Sequence, residues 1–268
     1  MASRRADKQA ARQRRLETER ALATQARRTR RLQILGAMVT AGIVIVVVVV
    51  LITGTGAHHK AVSNPRSTAA RSIAAHVDQL LRGIPEHGAT LGHPRAPVSI
   101  TEFGDLECPY CAQFASGPQA QLIAHDVRAG AAKLVYKSLE TATGGGPDAS
   151  LWPLQQAAAY AAGSQNRAWY YVELFYREQG AEDSGYATTP FLQSVARQVP
   201  GLNYHRWDTA RFAPSLAQQV ITDESQGRQL GVTGTPTIVA TGPNKRTRPI
   251  NSAEITYSQL QAIIRSVD

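Results

Sequence analysis

"DLECPYC", residues 105–111, holds the only two cysteines of this 268-residue chain, Cys108 and Cys111. Just before it, "VSITEF" at 98–103 alternates apolar and polar residues and reads as a strand. From Pro109 to about Ala129 the pattern is helical, interrupted near Gly117 and Pro118. The pair therefore follows a strand and opens a helix. Side chains three residues apart on a helix share a face, with Cβ atoms about 5–6 Å apart, near enough for a disulfide after modest adjustment. At the helix N-terminus, unpaired amides and the macrodipole favour an anion, which stabilises a thiolate at Cys108. Pro109 suits the first turn, where its missing N–H is not needed. Cys111 sits one turn deeper. An exposed thiolate that attacks and a protected partner that resolves form the asymmetry that thiol–disulfide exchange requires.

Other uses of two close cysteines remain open on spacing alone. A structural zinc site needs four ligands, of which one CxxC supplies two, and the seven histidines are scattered. No metal or other cofactor is therefore expected. A purely structural disulfide is compatible with an oxidising compartment. It would close so short a loop that little chain entropy is removed. Two unrelated buried thiols would leave the strand–CxxC–helix context unexplained.

The rest of the chain arranges itself around this motif. "KLVYKSL" at 133–139 reads as a second strand, and "TPTIVAT" at 235–241 as a later one, with another near "RPINSA". Between them lies an Ala-rich helical block from about Leu151 to Gly231. "TYSQLQAIIRSVD" closes as a helix with Leu260, Ile263, Ile264 and Val267 at helical spacing. In "GVTGTPT", 231–237, Pro236 opens a strand where it cannot pair, so Thr235–Pro236 is a candidate cis bond, the alternative being an ordinary turn proline.

The chain carries a formal charge of +9, but eleven of its 29 Lys and Arg, and only three of its 20 acids, lie in residues 1–31. The remainder is close to neutral. A basic face on the folded domain, the footprint of a nucleic-acid binder, is absent from this distribution, so no nucleic-acid partner is expected. Residues 32–52, Leu32 to Ile52, carry no charge and would span about 30 Å as a helix, the thickness of a bilayer core. A basic segment before the span and near-neutral sequence after it place 1–31 in the cytoplasm and 53–268 outside, on a single-pass anchor in the cell membrane. A cleaved signal peptide or a twin-arginine route, from "TRRLQIL" at 29–35, are the alternatives; the span is longer than a usual signal core. The absence of a cysteine soon after the span excludes a lipoprotein anchor. Residues 53–82 read as a linker, although Ile73, Val77, Leu80 and Leu81 fall at helical spacing, and the Gly- and Pro-rich 83–97 reads as extended loop.

Together "LGHPRAPVSITEFGDLECPYCAQF", "LGVTGTPTIV" and the Ala-rich block resemble the thioredoxin superfamily, and more closely its DsbA-like branch of extracytoplasmic thiol–disulfide oxidoreductases. The resemblance covers about residues 83–268. It implies an α/β thioredoxin-like fold with a helical insertion at about 147–231, here preceded by one N-terminal transmembrane helix. It implies that Cys108 attacks and Cys111 resolves, with Pro109 and Tyr110 between them. It also implies a cis loop at Thr235–Pro236 that pairs with bound peptide, and an acid at Glu102 that assists proton transfer. Alternation places Glu102 on the face of Val98 and Ile100, which favours burial over a solvent-facing role. The family further implies thiol-containing exported proteins as substrates and a membrane quinone-linked thiol oxidase as the reoxidising partner. No dimerisation domain fits in 53–82, so a monomer is expected. Two departures weigh against a very oxidising potential: the dipeptide lacks the histidine of the family's strongest oxidants, and an ionised Glu107 beside Cys108 would raise its pKa. Disulfide donation is the first reading; isomerase, reductase and a non-enzymatic thioredoxin-like binding module are the rivals.

Overall fold

A computed structural model of the chain describes residues 61–143 and 149–268. The chain divides at Ala57–His58, and every described residue lies in the second unit. The expected span, Leu32 to Ile52, and the basic segment 1–31 lie outside the described residues. Among the described residues no helix is long and apolar enough to cross a membrane.

The centre is a six-stranded sheet in the order β1-β2-β4-β3-β5-β6. Its strands are β1 (Glu86–His87), β2 (Thr90–Leu91), β3 (Val98–Gly104), β4 (Ala132–Ser138), β5 (Thr237–Thr241) and β6 (Ile250–Asn251). β3 runs parallel to β4, with Val98 opposite Ala132 and Gly104 opposite Ser138. It runs antiparallel to β5, with Phe103 opposite Thr237. Alternation sends Val98, Ile100 and Glu102 to one face, where Leu134, Tyr136, Ile238 and Ala240 join the main core. Phe103 points the other way and packs with Leu139, Val232 and Val239.

A helical run crosses from β3 to β4. It comprises α2 (Pro109–Phe114), a π turn at Ala115–Gln119, α3 (Ala120–Leu122) and a second π turn at Ile123–Val127. The interruption expected near Gly117 and Pro118 is thus a widened turn, not a break. Proline has no N–H and crowds the preceding turn, and the π turn accommodates it without ending the helix. The insertion comprises α4 (Trp152–Gly163), α5 (Ala168–Glu178), α6 (Thr189–Gln198), α7 (Tyr204–Ala210) and α8 (Pro214–Gln229). Tyr171, Phe175, Phe191 and Trp207 form its buried aromatic centre. α9 (Tyr257–Val267) closes the chain with a capping box between Thr256 and Gln259.

Two expectations for the start of the domain are corrected. Within the presumed linker, Thr68–Leu81 forms a helix, α1, capped by Ser67 and burying Ala70, Val77 and Leu81. The Arg128 guanidinium donates to the Arg82 and Leu80 carbonyls at its C-terminal end. The helical spacing of 71–82 decided the outcome, because an apolar stripe is stable only against a core. The stretch 83–97 is not wholly loop: β1 and β2 form a hairpin that extends the sheet beside β4.

α8 lies on the Phe103 face of the sheet. Lys137 on β4 donates to Asp223 of α8 at 2.6 Å. Gly227 permits the close approach, since a Cβ there would stand 2.9 Å from Leu139 Cδ1 and 3.1 Å from Phe103 Cδ1. Gly227→Val is therefore expected to lower the urea midpoint, corresponding to about 1–3 kcal/mol of overpacking. An unchanged midpoint would mean that the helix lifts off the sheet without loss.

Candidate active site

Three loops meet at one end of the sheet: Asp105–Cys108 after β3, Leu139–Thr143 after β4, and Thr235–Pro236 before β5. Register brings them together, because Gly104, Ser138 and Thr237 are at or beside neighbouring strand ends. Cys108 is the N-cap of α2 and is 4% exposed. Pro109 occupies the first helical turn, Tyr110 is 56% exposed, and Cys111 is fully buried. Both thiols are free. The Thr235–Pro236 peptide is cis, and the Cys108 thiol donates to the Thr235 carbonyl at 3.4 Å.

The two thiols differ in their acidity. Cys108 is lowered to about 7, chiefly because the Cys111 thiol donates to its sulfur. Burial opposes this, while the Thr235 side chain and the Cys111 and Tyr110 amides at the helix N-terminus support it. Cys111 is pushed well above the usual thiol range, first by burial and then by its bond to Cys108 and the nearby negative charge. The expected upward push from Glu107 does not prevail. Glu107 is buried, and its Oε1 accepts from Gln155 at 2.6 Å.

Glu102 lies under the pair, fully buried, and neither of its oxygens has a hydrogen bond of good geometry. Burial raises it to about 8, with contributions from the charges of Glu173 and Cys108, while Gln119 lowers it. It therefore carries a proton at neutral pH. Gly104 leaves room here: a Cβ would stand 2.6 Å from the Tyr176 hydroxyl and 3.3 Å from Glu102 Oε1.

Several residues of the site were not singled out in the sequence. Asp105, fully buried, accepts from the amides of Glu107, Thr141, Ala142 and Thr143 and from the Thr143 hydroxyl. Its position at a turn start is the one signal that could have found it, since Asp favours such backbone-bonding turns. Gln179 at the end of α5 donates to the Leu106 carbonyl at 2.9 Å. Glu173 of α5 accepts from Gln119 at 3.2 Å and pairs with Arg177. The helical block thus braces the active-site turn from behind, through contacts that no local pattern encodes. Among the described residues, no cluster of His, Cys, Asp or Glu could hold a metal ion.

Residues 85–266 match the family described as Thioredoxin. The chain belongs to the thioredoxin family. Its similarities within that family are DsbA-like. It is 22% identical over 202 residues to the probable disulfide bond formation protein D of Bacillus cereus, covering 75% of this chain and 87% of that protein. The fold is similar to oxidised BdbD from Bacillus subtilis, with TM-score 0.56 and 22% identity, covering 69% of this chain and 95% of that one. It is also similar to Chlamydia trachomatis DsbA, with TM-score 0.53 and 22% identity over 66% of this chain and 90% of that one. This thioredoxin-family chain thus shares its overall fold with the BdbD and DsbA structures.

The buried acid provides a test by pH. A raised carboxyl stabilises the fold fully below its unfolded value of 4.5, and that contribution is lost as pH rises through about 8. Glu102→Gln cannot ionise. Between about pH 5 and pH 8 the wild-type reduced protein is expected to lose about 3–4 kcal/mol more unfolding free energy than Glu102→Gln. Urea titrations at both pH values check this, and parallel losses in the two proteins would contradict it. Other raised carboxyls, Glu86 at about 8 and Glu178 at about 7, are common to both and cancel.

Proposed function

We propose that the chain is a membrane-anchored, extracytoplasmic protein thiol–disulfide oxidoreductase that donates the Cys108–Cys111 disulfide to exported proteins. The observation that carries this reading is the unequal thiol pair, with Cys108 low and Cys111 high, set against the Thr235 carbonyl beside the cis peptide.

In the oxidised enzyme a substrate thiolate attacks Cys108 Sγ and forms a mixed disulfide. The Cys108–Cys111 bond breaks, and Cys111 leaves with the electron pair. Its raised pKa means that it then takes up a proton, and Glu102, whose carboxyl is raised to about 8 by burial, is the group we assign to supply it. A second substrate thiolate attacks the substrate sulfur, so the substrate gains a disulfide and Cys108 leaves as a thiolate. A lowered pKa makes Cys108 a good leaving group and stabilises the reduced enzyme, so the disulfide is a better oxidant. This supports donation over reduction, despite the missing histidine in the dipeptide.

An open groove of about 970 Å³ runs beside the thiols, lined by Tyr110, Thr235, Ile250, Asn251, Ile255 and Ile263. Its mixed apolar and polar lining supports an extended segment of an unfolded exported protein as the substrate. The uncharged stretch 32–52 and the basic 1–31 support the membrane anchor and its orientation, and a quinone-linked thiol oxidase in the same membrane is the proposed reoxidant.

The full chain, equilibrated in detergent against glutathione, is expected to show a potential closer to the about −120 mV of strong oxidants than to the about −270 mV of thioredoxin. A value at the lower end would make the protein a reductase. Cys108→Ser is expected to abolish oxidation of a reduced peptide, while Cys111→Ser accumulates a mixed disulfide through Cys108. Full turnover by Cys108→Ser would overturn the enzymatic reading.

A further inference from the structure

The groove beside the thiols carries one feature that the exchange chemistry does not use. Its wall is apolar at Ile250, Ile255 and Ile263, and among the described residues that line it Glu254 is the one with a formal charge. Glu254 is exposed, and its side chain has no ion-pair partner among the described residues. The backbone around it is held on both sides. The Ser252 amide donates to the Pro236 carbonyl at 2.9 Å, and the Ile255 amide donates to the Ser252 carbonyl at 3.3 Å. The Ala253 amide donates to Asn251 Oδ1 at 3.0 Å, and the capping box of Thr256 and Gln259 starts α9 just beyond. Pro236 follows Thr235, whose carbonyl accepts the Cys108 thiol at 3.4 Å. The segment that presents Glu254 is therefore anchored to the loop that touches the attacking sulfur.

We propose that Glu254 is a specificity-determining residue, through which the groove selects substrate segments that carry a Lys or Arg within a few positions of the reacting cysteine. The inference deepens the exchange reading and rests on it. An extended segment advances about 3.3 Å per residue, so the few residues flanking a cysteine docked at Cys108 are the ones that meet the groove wall. Apolar side chains among them cover the isoleucines. An ammonium or guanidinium among them meets the Glu254 carboxylate. A substrate carboxylate in the same place meets like charge, so the repulsion discriminates as well as the attraction. The pair is exposed, so its effect is a few-fold and weakens as salt is added.

No other charge offsets Glu254 among the described residues that line the groove, since Tyr110 and Thr235 beside the thiols are neutral side chains. Residues 32–268 are close to neutral as a whole, so the charge that a bound segment meets is set locally. The basic segment 1–31 would attract acidic peptides at long range, so a preference for basic ones cannot come from it.

The test is the oxidation of two reduced dicysteine peptides by the oxidised full chain in detergent. The peptides differ only in carrying Lys or Glu about three positions to either side of the first cysteine. A neighbouring charge also changes the reactivity of the peptide thiol itself. The quantity that decides is therefore the Lys-to-Glu ratio of kcat/KM in the wild type divided by the same ratio in Glu254→Gln, in which that intrinsic effect cancels. This quotient is expected to be roughly fivefold at low salt and to fall toward one in about 0.5 M NaCl. Glu254→Asp, which keeps the charge, should retain most of the preference, and Glu254→Lys should push the ratio below that of Glu254→Gln. A quotient of one at low salt, or a Glu254→Lys ratio equal to the wild-type ratio, overturns the inference while leaving disulfide exchange intact. A wild type that oxidises neither peptide removes the exchange reading, and this inference with it.

Discussion

The pairing of β3 on both sides is the constraint from which the site follows. Parallel pairing with β4 puts the C-terminal ends of both strands at one edge, and antiparallel pairing with β5 brings the start of β5 to the same edge. The turn into Cys108, the loop after β4 and the Thr235–Pro236 loop have nowhere else to lie. A one-residue slip of β3 would exchange Glu102 and Phe103 between faces, placing a carboxyl among Leu139, Val232 and Val239. The burial of Val98 and Ile100 in the main core fixes the register against that slip.

The electrostatics of the site come from unequal desolvation. Cys108 lies at a helix start, where donors converge, and Cys111 lies one turn further in, where burial outweighs them. The same low-dielectric interior holds a proton on Glu102. Asp105 is equally buried but accepts five hydrogen bonds from the chain around it. Two buried acids three residues apart thus meet opposite surroundings: Glu102 is raised by burial, while Asp105 is met by backbone amides and a hydroxyl.

Much of this was visible locally. Alternation located β3 and β4, and the buried face of Glu102 followed from Val98 and Ile100. The proline after Cys108 and the helical spacing beyond it located α2. The helix at Thr68–Leu81 had its apolar stripe in plain view within the expected linker, and its contacts with the insertion make it part of the domain. The β1–β2 hairpin was hidden because two-residue strands carry too little pattern to separate from loop. The net lowering of Cys108 comes from donors that converge on it in space, which adjacency in the chain does not reveal.

By itself, the sequence determined the strand–CxxC–helix junction, the proline that opens β5 and the helical character of the insertion. Each depends on residues within a few positions of one another, where periodicity and backbone preference are decisive. Tertiary structure alone decided that Asp105 binds residues 36 to 38 positions away, that Thr141 meets Thr235, and that Gln155 and Gln179 reach back to the active-site turn. These outcomes depend on distance through space and on the exclusion of water, and neither is a property of neighbours along the chain.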